Sequence, residues 1–116
     1  MAVQNCIFCQ VVAGEISADI IHTDDRALAF RDINPQAPVH ALVIPREHMA
    51  SLDEAAGRDE GVLGHLLRVA ARVANAEGLS QSGYRTVINT GAGAGQSVFH
   101  LHLHVVGGRP LKWPPG

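Results

Sequence analysis

The chain has 116 residues, of which 47% are hydrophobic and 17% charged, and its formal net charge is −2. This length predicts one domain, residues 1–116, and the slightly acidic balance argues against a polynucleotide partner. No basic segment followed by an apolar run opens the chain, and no stretch of about 18 apolar residues occurs, so neither secretion nor a membrane span is expected. We therefore expect a cytoplasmic protein without a nucleic-acid or membrane partner.

The first predicted elements are strands. Alternating or apolar runs cover residues 18–23 and 26–32, and Asp24-Asp25 separates them, which predicts an antiparallel hairpin. Prolines interrupt the connection that follows. Residues 39–45 then predict a further strand, which carries His40.

One long helix is predicted next, from about Glu60 to Glu77. Asp59 is a plausible N-cap, and Gly78 is a plausible stop after the last turn. Apolar residues recur at helical spacing and indicate core or a subunit interface rather than a site. They are Val62, Leu63, Leu66, Leu67, Val69, Ala70, Val73 and Ala74.

The last predicted strands flank a glycine-rich connection. Tyr84 to Asn89 predicts one strand, and the segment that begins at His100 predicts the other. Three strands, a long helix and two more strands indicate an α+β fold, in which the helix covers one face of an antiparallel five-stranded sheet.

The segment His100-Leu101-His102-Leu103-His104 alternates strictly. In a strand, this period of two places the three imidazoles on one face, about 6.6 Å apart. The pattern has three interpretations: a polar face that is merely rich in histidine, a metal site, or a nucleophilic imidazole whose neighbours donate hydrogen bonds to a phosphoryl group.

The connection before this strand, residues 89–97, contains three glycines. Glycines let successive amides point at an anion, and Ser97 adds a hydroxyl at the entrance of the strand. The segment is neither a Walker loop nor a dinucleotide fingerprint. Such a loop is often only a hairpin turn, but its position beside three histidines favours phosphate binding.

Residues 100–106 fit the signature His-φ-His-φ-His-φ-φ, in which φ is apolar, and the chain thereby resembles the histidine triad (HIT) family. It looks most similar to the histidine-triad nucleotide-binding branch of that family. The similarity to this branch runs over nearly the whole chain and is carried by residues 27–33, 35–40, 42–45, 95–98 and 113–116.

The resemblance implies a nucleotidyl hydrolase with no catalytic cofactor. His102 would attack phosphorus and form a nucleotidyl-histidine intermediate, and its other ring nitrogen would donate to a backbone carbonyl of the same strand. His104 would donate to a non-bridging phosphate oxygen. His40 would be an additional active-site histidine near the phosphate or the leaving group. Ser97 and the backbone of Gly95 and Gln96 would belong to the same site.

The resemblance also implies a nucleotide pocket and a homodimer. Asp32 would bind the ribose hydroxyls, although from sequence alone a turn residue before Asn34-Pro35 is nearly as plausible. The two sheets of the dimer would form one continuous sheet, and the tail that carries Trp113 would shape the partner's site. The base and phosphate would contact Phe8, Phe30, Ile33, Leu42 and Asn89.

Cys6 and Cys9 are the only cysteines. Without a secretory signal a disulfide is not expected, and the surroundings do not clearly suit a redox motif, so half of a zinc site is the better interpretation. The resemblance implies that His48 and His100 complete a structural zinc site. Two unpaired thiols are the alternative. His22 and His65 are expected to be ordinary surface or core histidines.

The expected reaction is cleavage of purine nucleoside 5′-phosphoramidates, or of related conjugates of AMP. A dinucleoside polyphosphate hydrolase is the neighbouring alternative. Two further alternatives are a metallohydrolase whose zinc sits on His100, His102 and His104, and a nucleotide-binding adaptor protein.

Overall fold

The computed structural model describes residue 3 and residues 5–116. It contains one antiparallel five-stranded sheet in the order β1-β2-β3-β5-β4 and a long helix, which confirms the predicted fold class. The strands are β1 (Ile20–Thr23), β2 (Ala27–Arg31), β3 (Val39–Pro45), β4 (Tyr84–Val87) and β5 (Leu103–Gly107). The helices are α1 (Ile7–Val12), α2 (Leu52–Ala56) and α3 (Glu60–Ala76), and a 3-10 turn covers Ala92–Ala94.

The long helix α3 forms where its pattern predicted it. The side chain of Asp59 accepts a hydrogen bond from the amide of Val62, so it caps the first turn. Gly78 has a φ of +81°, a conformation that favours glycine directly after a helix. Of the apolar residues predicted to form its stripe, Leu63 is only partly buried and Leu67 is exposed. The six that are buried are Val62, Leu66, Val69, Ala70, Val73 and Ala74.

Strand alternation divides the sheet into two unlike faces. On one face, small and branched side chains of β2, β3 and β5 pack under α3 in the larger core cluster; examples are Ala29, Val43 and Leu103. On the other face, Phe30 and Leu42 belong to a second cluster together with residues of α1. One face is therefore closed by a long helix, and the other is only partly covered by a helix of six residues.

Helix α1 was not predicted from the sequence, because six residues are too short to show a helical period. Its start is nevertheless encoded locally: Cys6 is the N-cap, and its sulfur accepts from the amide of Cys9. The two cysteines therefore lie on the first turn of a helix. Among residues 3 and 5–116, no helix is both long and apolar enough to cross a bilayer.

The histidine segment departs from the predicted strand at its beginning. Strand β5 starts only at Leu103, whose pairing with Val43 is the last one with β3. Before that point the amide of Leu101 donates to the carbonyl of Met49, so the chain has left the ladder. Alternation persists even so: Leu101 lies in the core under α3, and His102 borders a cavity on the other face.

Candidate active site and metal centre

A cavity of about 250 Å³ opens on the sheet face that α3 does not cover. Its walls come from α1, the segment before β1, the end of β2, β3 and the histidine segment. Among the predicted site residues, those that line it are Phe8, Phe30, Asp32, Ile33, Leu42, Ser97, His102 and His104. The cavity therefore brings together the apolar residues, a carboxylate, a hydroxyl and two of the three triad histidines.

The ring of His102 is fixed from behind. Its Nδ1 lies 2.8 Å from the backbone carbonyl of His100, and because a carbonyl only accepts, Nδ1 carries the proton. The edge-on ring of Phe8 holds the imidazole from the side, at a centroid distance of 5.2 Å. In the neutral ring, this arrangement places the lone pair on Nε2 of His102, where a ligand can reach it.

His40 and His104 form a hydrogen-bonded pair whose proton positions follow from a backbone amide. The amide of Gln36 donates to Nδ1 of His40 at 3.0 Å, so Nε2 of His40 carries the proton. That Nε2 donates to Nδ1 of His104 at 2.8 Å, which leaves Nε2–H of His104 as a free donor. His40 does not line the cavity; it is buried behind His104 and acts on the site through it.

Burial lowers the pKa of His104 to about 4, and repulsion from protonated His102 and His40 adds to the effect, while Asp32 opposes it. At neutral pH the ring is therefore uncharged. A neutral imidazole with Nδ1 already occupied presents a single N–H to a ligand. The site thus places one bare nitrogen, on His102, beside one fixed donor, on His104.

Asp32 is a turn residue that also borders the cavity. One carboxylate oxygen accepts from the amide of Asn34 at 2.8 Å, as expected of a turn residue. The other oxygen lies 3.4 Å from Nε2 of His40, and the side chain borders the cavity. The turn therefore fixes a carboxylate at the edge of the pocket, where it retains free acceptor positions.

Several amides of the glycine-rich loop are occupied within the loop itself. The amides of Gly95 and Gln96 donate within the loop, to the carbonyls of Ala92 and Gly91 at 3.0 and 3.1 Å. Gly91 and Gly95 both have positive φ values, so the glycines serve to close this turn. The expected contact of the Gly95 and Gln96 backbone with a phosphate stays a prediction, and these two amides would have to leave their partners in the loop to make it.

Gln96 instead ties the loop to the rest of the fold. Its buried side chain donates to the carbonyls of Ala50 and Val98 at 2.7 and 3.1 Å and accepts from the amide of Gly91 at 2.8 Å. It thereby positions Ser97, which does line the cavity. A sequence motif does not reveal which partners a polar side chain will find, so this link between loops was not predicted.

Asn89 and Trp113 also lie outside the lining of the cavity. Trp113 is 82% exposed in the single chain. The tail that carries it is held by Arg85, whose guanidinium donates to the carbonyl of Lys112 at 2.9 Å.

A second cluster lies next to the active site and joins Cys6, Cys9, His48 and His100. One donor atom from each residue lies within 4.8 Å of all the others. Nδ1 of His100 is 3.2 and 3.6 Å from the two sulfurs, and Nδ1 of His48 is 3.4 Å from that of Cys9. With zinc–nitrogen and zinc–sulfur bonds of about 2.0 and 2.3 Å, the N···S edge of a tetrahedron is about 3.5 Å. The geometry and the donor types both fit zinc.

The protonation of His100 also suits a metal ligand. Its Nε2 donates to the carbonyl of Pro45 at 2.9 Å, so Nδ1, which faces the thiols, carries the lone pair. Burial is the main reason why the pKa of this ring falls to about 4, and it also raises the pKa of the Cys6 thiol. A bound metal would have to displace the thiol protons.

The three-histidine metal site that the sequence left open is not formed. Nδ1 of His100 faces the thiols and Nδ1 of His102 faces a carbonyl. Within the described part of the chain, the clusters that could hold a metal are the Cys/His cluster and Asp32-His40-His104, and neither contains His102. This arrangement argues against a metallohydrolase built on the triad.

His22 and His65 lie outside both clusters and share one carboxylate. Nε2 of His22 is 2.6 Å and Nε2 of His65 is 2.9 Å from Oδ2 of Asp24. The other oxygen of Asp24 accepts from the amides of Arg26 and Ala27. Asp24 thus links the β1–β2 hairpin to α3 through His65. Both histidines make a structural contact and lie outside the site.

Comparisons with known proteins agree with this fold. The family model of the HIT domain matches residues 13–111. An uncharacterized HIT-like protein of Synechococcus elongatus is 54% identical over 113 residues, which cover 97% of this chain and 98% of that relative. The crystal structure of a HIT family hydrolase from Legionella pneumophila is 49% identical with a TM-score of 0.93, over 97% of this chain and 100% of that one. A histidine triad nucleotide-binding protein from Candida albicans is 31% identical with a TM-score of 0.81, over 87% of this chain and 73% of that one. This chain belongs to the HIT domain family.

Proposed function

We propose that the protein is a nucleotide-binding hydrolase that cleaves purine nucleoside 5′-phosphoramidates, or related AMP conjugates, through a nucleotidyl-histidine intermediate. The observation that carries the proposal is the pairing of a bare Nε2 on His102 with a fixed N–H donor on His104 at the same cavity. The similarity to the histidine triad nucleotide-binding protein from Candida albicans supports placing the chain in the nucleotide-binding branch.

In the first step, the lone pair of Nε2 of His102 forms a bond to the α-phosphorus, and the phosphorus–nitrogen bond to the amine breaks. The amine leaves with the electron pair of that bond and takes up one proton. The phosphorylated imidazole keeps its proton on Nδ1 and is cationic, so the carbonyl of His100, 2.8 Å away, stabilises the charge. Nε2–H of His104 and the hydroxyl of Ser97 donate to the phosphoryl oxygens.

In the second step, water attacks phosphorus and the bond to Nε2 breaks, which releases AMP and neutral His102. The attacking water gives up the proton that balances the one taken up by the amine. Two displacements thus replace one, which is the usual gain of covalent catalysis. No step requires a metal ion at phosphorus.

The remaining cavity residues suit a nucleoside. Phe8, Phe30 and Leu42 provide apolar walls for a flat base, and Asp32 supplies a carboxylate for the ribose hydroxyls. Ile33 is 99% exposed at the edge of the cavity, where a bound base would cover it. An exposed isoleucine that borders a pocket is readily explained as a contact for a ligand.

The direct test is AMP release from adenosine 5′-phosphoramidate by the wild type and by His102→Ala. We expect the variant to lose at least about a thousandfold in kcat/KM, since the nucleophile itself is removed. His65→Ala is the control, because it removes a histidine that does not line the cavity and leaves the cavity intact. Equal rates for the wild type and His102→Ala would contradict the proposal.

Intact-mass spectrometry after rapid quenching without acid tests the intermediate separately. The wild type should carry an adduct of the mass of a nucleotidyl group, and His102→Ala should not. Dinucleoside polyphosphates would pass through the same adduct with a different leaving group, so a side-by-side comparison of kcat/KM values decides between the two substrates. A nucleotide-binding adaptor would bind AMP and form no adduct.

We further propose that Cys6, Cys9, His48 and His100 hold a zinc ion. Four protein ligands close the coordination sphere, so the ion would have a structural role. The four residues come from the N-cap and first turn of α1, from the loop after β3 and from the segment before β5. The ion would therefore fasten the N-terminal helix to the face of the sheet that carries the active site.

We also propose that residues 1–116 form a single domain and that two copies of the chain assemble into a homodimer. Strand β4 lies at the edge of the sheet and offers one free side for pairing with a second copy. On α3, Leu67 is 53% exposed, and Tyr84 at the start of β4 is also exposed. Light scattering after size exclusion should give twice the chain mass. The expected cytoplasmic location stays a prediction.

A further inference from the structure

His100 lies at the junction of the two clusters. Its side chain presents Nδ1 to the sulfur of Cys6 at 3.2 Å, and its ring is anchored on the other side by the carbonyl of Pro45 at 2.9 Å. Its own carbonyl accepts the hydrogen bond from Nδ1 of His102 at 2.8 Å. The residue that completes the metal cluster is thus also the one that fixes the proton on the nucleophile.

Phe8 makes a second, independent connection. It lies between Cys6 and Cys9 in the sequence, and it is buried. Its ring packs edge-on against His102 at a centroid distance of 5.2 Å and against His100 at 5.9 Å. It also lines the cavity. A movement of the Cys-x-x-Cys turn would therefore move a wall of the pocket and the ring that abuts the nucleophile.

Helix α1 depends on these contacts for its position. It has only six residues, which is far below the length at which an isolated helix is stable in water. Its N-cap is the sulfur of Cys6, one of the four candidate metal ligands. A metal bound there would hold the cap, the first turn and the ring of His100 in one rigid unit.

We propose that the Cys6-Cys9-His48-His100 centre is a positioning device for the nucleophile, so that metal binding and nucleotide binding are thermodynamically linked. The inference rests on the proposed function, because it takes His102 as the nucleophile and AMP as a ligand. Metal binding holds the carbonyl of His100 and the ring of Phe8 against His102. Loss of the metal releases both, and the nucleotide site becomes less well formed.

The linkage between zinc binding and AMP binding is reciprocal and can be expressed as a ratio of affinities. We expect metal-free protein to bind AMP roughly tenfold more weakly than zinc-loaded protein, within the range of typical coupling between sites. By the same linkage, AMP tightens zinc binding by the same factor. A metal that only stabilised the fold, without differing contacts to the AMP-bound state, would leave both affinities unchanged.

The first experiment uses cobalt-loaded wild type titrated with AMP. The visible absorption bands of cobalt report the geometry of its ligands, so we expect them to shift and to saturate in parallel with AMP binding measured by calorimetry. Inorganic phosphate at the same concentration controls for direct contact of a phosphate with the ion. AMP binding without any change in the cobalt bands would overturn the linkage.

The second experiment measures the ring nitrogens of His102 by NMR, in zinc-loaded and in metal-free protein without nucleotide. Zinc-loaded protein should show a protonated, hydrogen-bonded Nδ1, and metal-free protein should lose this signature. Identical ring spectra in both forms, together with equal AMP affinity, would overturn the proposal even if the melting temperature differs. His65→Asn is the control variant, because it perturbs a distant contact of α3 and should change neither readout.

Phe8→Leu separates the two connections, since it retains all four metal ligands and the hydrogen bond from His102 to His100. We expect zinc to remain bound and the ratio of AMP affinities between zinc-loaded and metal-free protein to be smaller than in the wild type; because Phe8 also lines the cavity, this ratio and not the absolute affinity is the readout. If AMP fails to bind zinc-loaded wild type, the proposed function is wrong, and the NMR comparison of free protein still decides whether the metal positions His102. If metal-free protein unfolds, the cobalt titration decides.

Discussion

The two faces of the sheet reach their packing by different means. The face under α3 is filled by residues that repeat at helical or strand spacing, such as Leu66, Val69 and Val43, and nearly all of them are apolar. The opposite face joins residues far apart in the chain: Cys6 meets His100 across 94 positions, and His40 meets His104 across 64. Periodic burial determines the fold, whereas a few long-range polar contacts determine the site.

This difference predicts that the two faces fail differently when they are changed. The largest effect on activity is expected for His102→Ala, which should reduce kcat/KM for adenosine 5′-phosphoramidate by at least about a thousandfold. Its melting temperature should stay close to that of the wild type, because the ring borders a cavity. AMP-release kinetics and calorimetric melting measure the two effects. A variant that unfolds would remove the contrast between the faces.

Leu66→Ala should show the reverse behaviour. Leu66 is fully buried under the sheet, so truncation should lower the free energy of unfolding by about 2–5 kcal/mol. The kcat/KM of the folded fraction should not change, because the cavity lies on the other face. Chemical denaturation gives the stability, and activity at low temperature gives the rate per folded molecule. A matching loss of kcat/KM would show that the faces are not independent.

The pH dependence of stability gives a further test of the sheet face that carries the cavity. The pKa of His104 is lowered to about 4 from an ordinary 6.5. Between these values the unfolded chain binds more protons than the folded one, so stability is complete above about pH 6.5 and falls towards pH 4.

Because the ring is only partly buried, we expect a loss of about 1–2 kcal/mol over this window. His104→Gln should make this part of the curve less steep, and the slope that remains belongs in part to His100, whose pKa is also lowered to about 4. His40, His102 and Asp32 surround the ring and remain in the variant. Urea unfolding at a series of pH values measures the difference, and an unchanged slope in the variant would assign the loss to another group.

The smallest effect is expected for Asp24→Asn, at the hairpin that joins the sheet to α3. The amide of asparagine retains an acceptor for the backbone of the turn but loses the charge shared by His22 and His65. Because this contact is partly exposed, we expect the free energy of unfolding to fall by about 1 kcal/mol. The AMP affinity should not change, because Asp24 does not line the cavity. Denaturation and calorimetric titration of the same sample provide both values.

The sequence predicted the face under α3 better than the face that carries the site. Helix α3 is long enough for its apolar period to be read, and its cap and stop residues, Asp59 and Gly78, lie where the sequence placed them. Helix α1 could not be predicted, because its six residues show no period. The beginning of β5 was misplaced, because the pairing of Leu101 with Met49 depends on where a distant loop runs.

The site was predictable only where a motif restricted it. Alternation assigned His102 and His104 to one face, but spacing alone does not bring Cys6 beside His100; only the family resemblance suggested that pair. The internal link that Gln96 makes was not predicted, because its residue type suits a ligand contact as well as a link between loops. Which contact forms depends on the carbonyl of Ala50, and no local pattern reveals that partner.

Because of the strand order, some walls of the cavity are held more rigidly than others. His40 and His104 are borne by β3 and β5, which have a hydrogen-bonded strand on each side, whereas Phe8 belongs to a single short helical turn at the rim. Backbone amides of the inner strands should exchange with deuterium only on global opening, while those of the rim should exchange through local fluctuations. Substrates of different bulk would then be admitted by movement of the rim, while His40 and His104 keep their places on the inner strands.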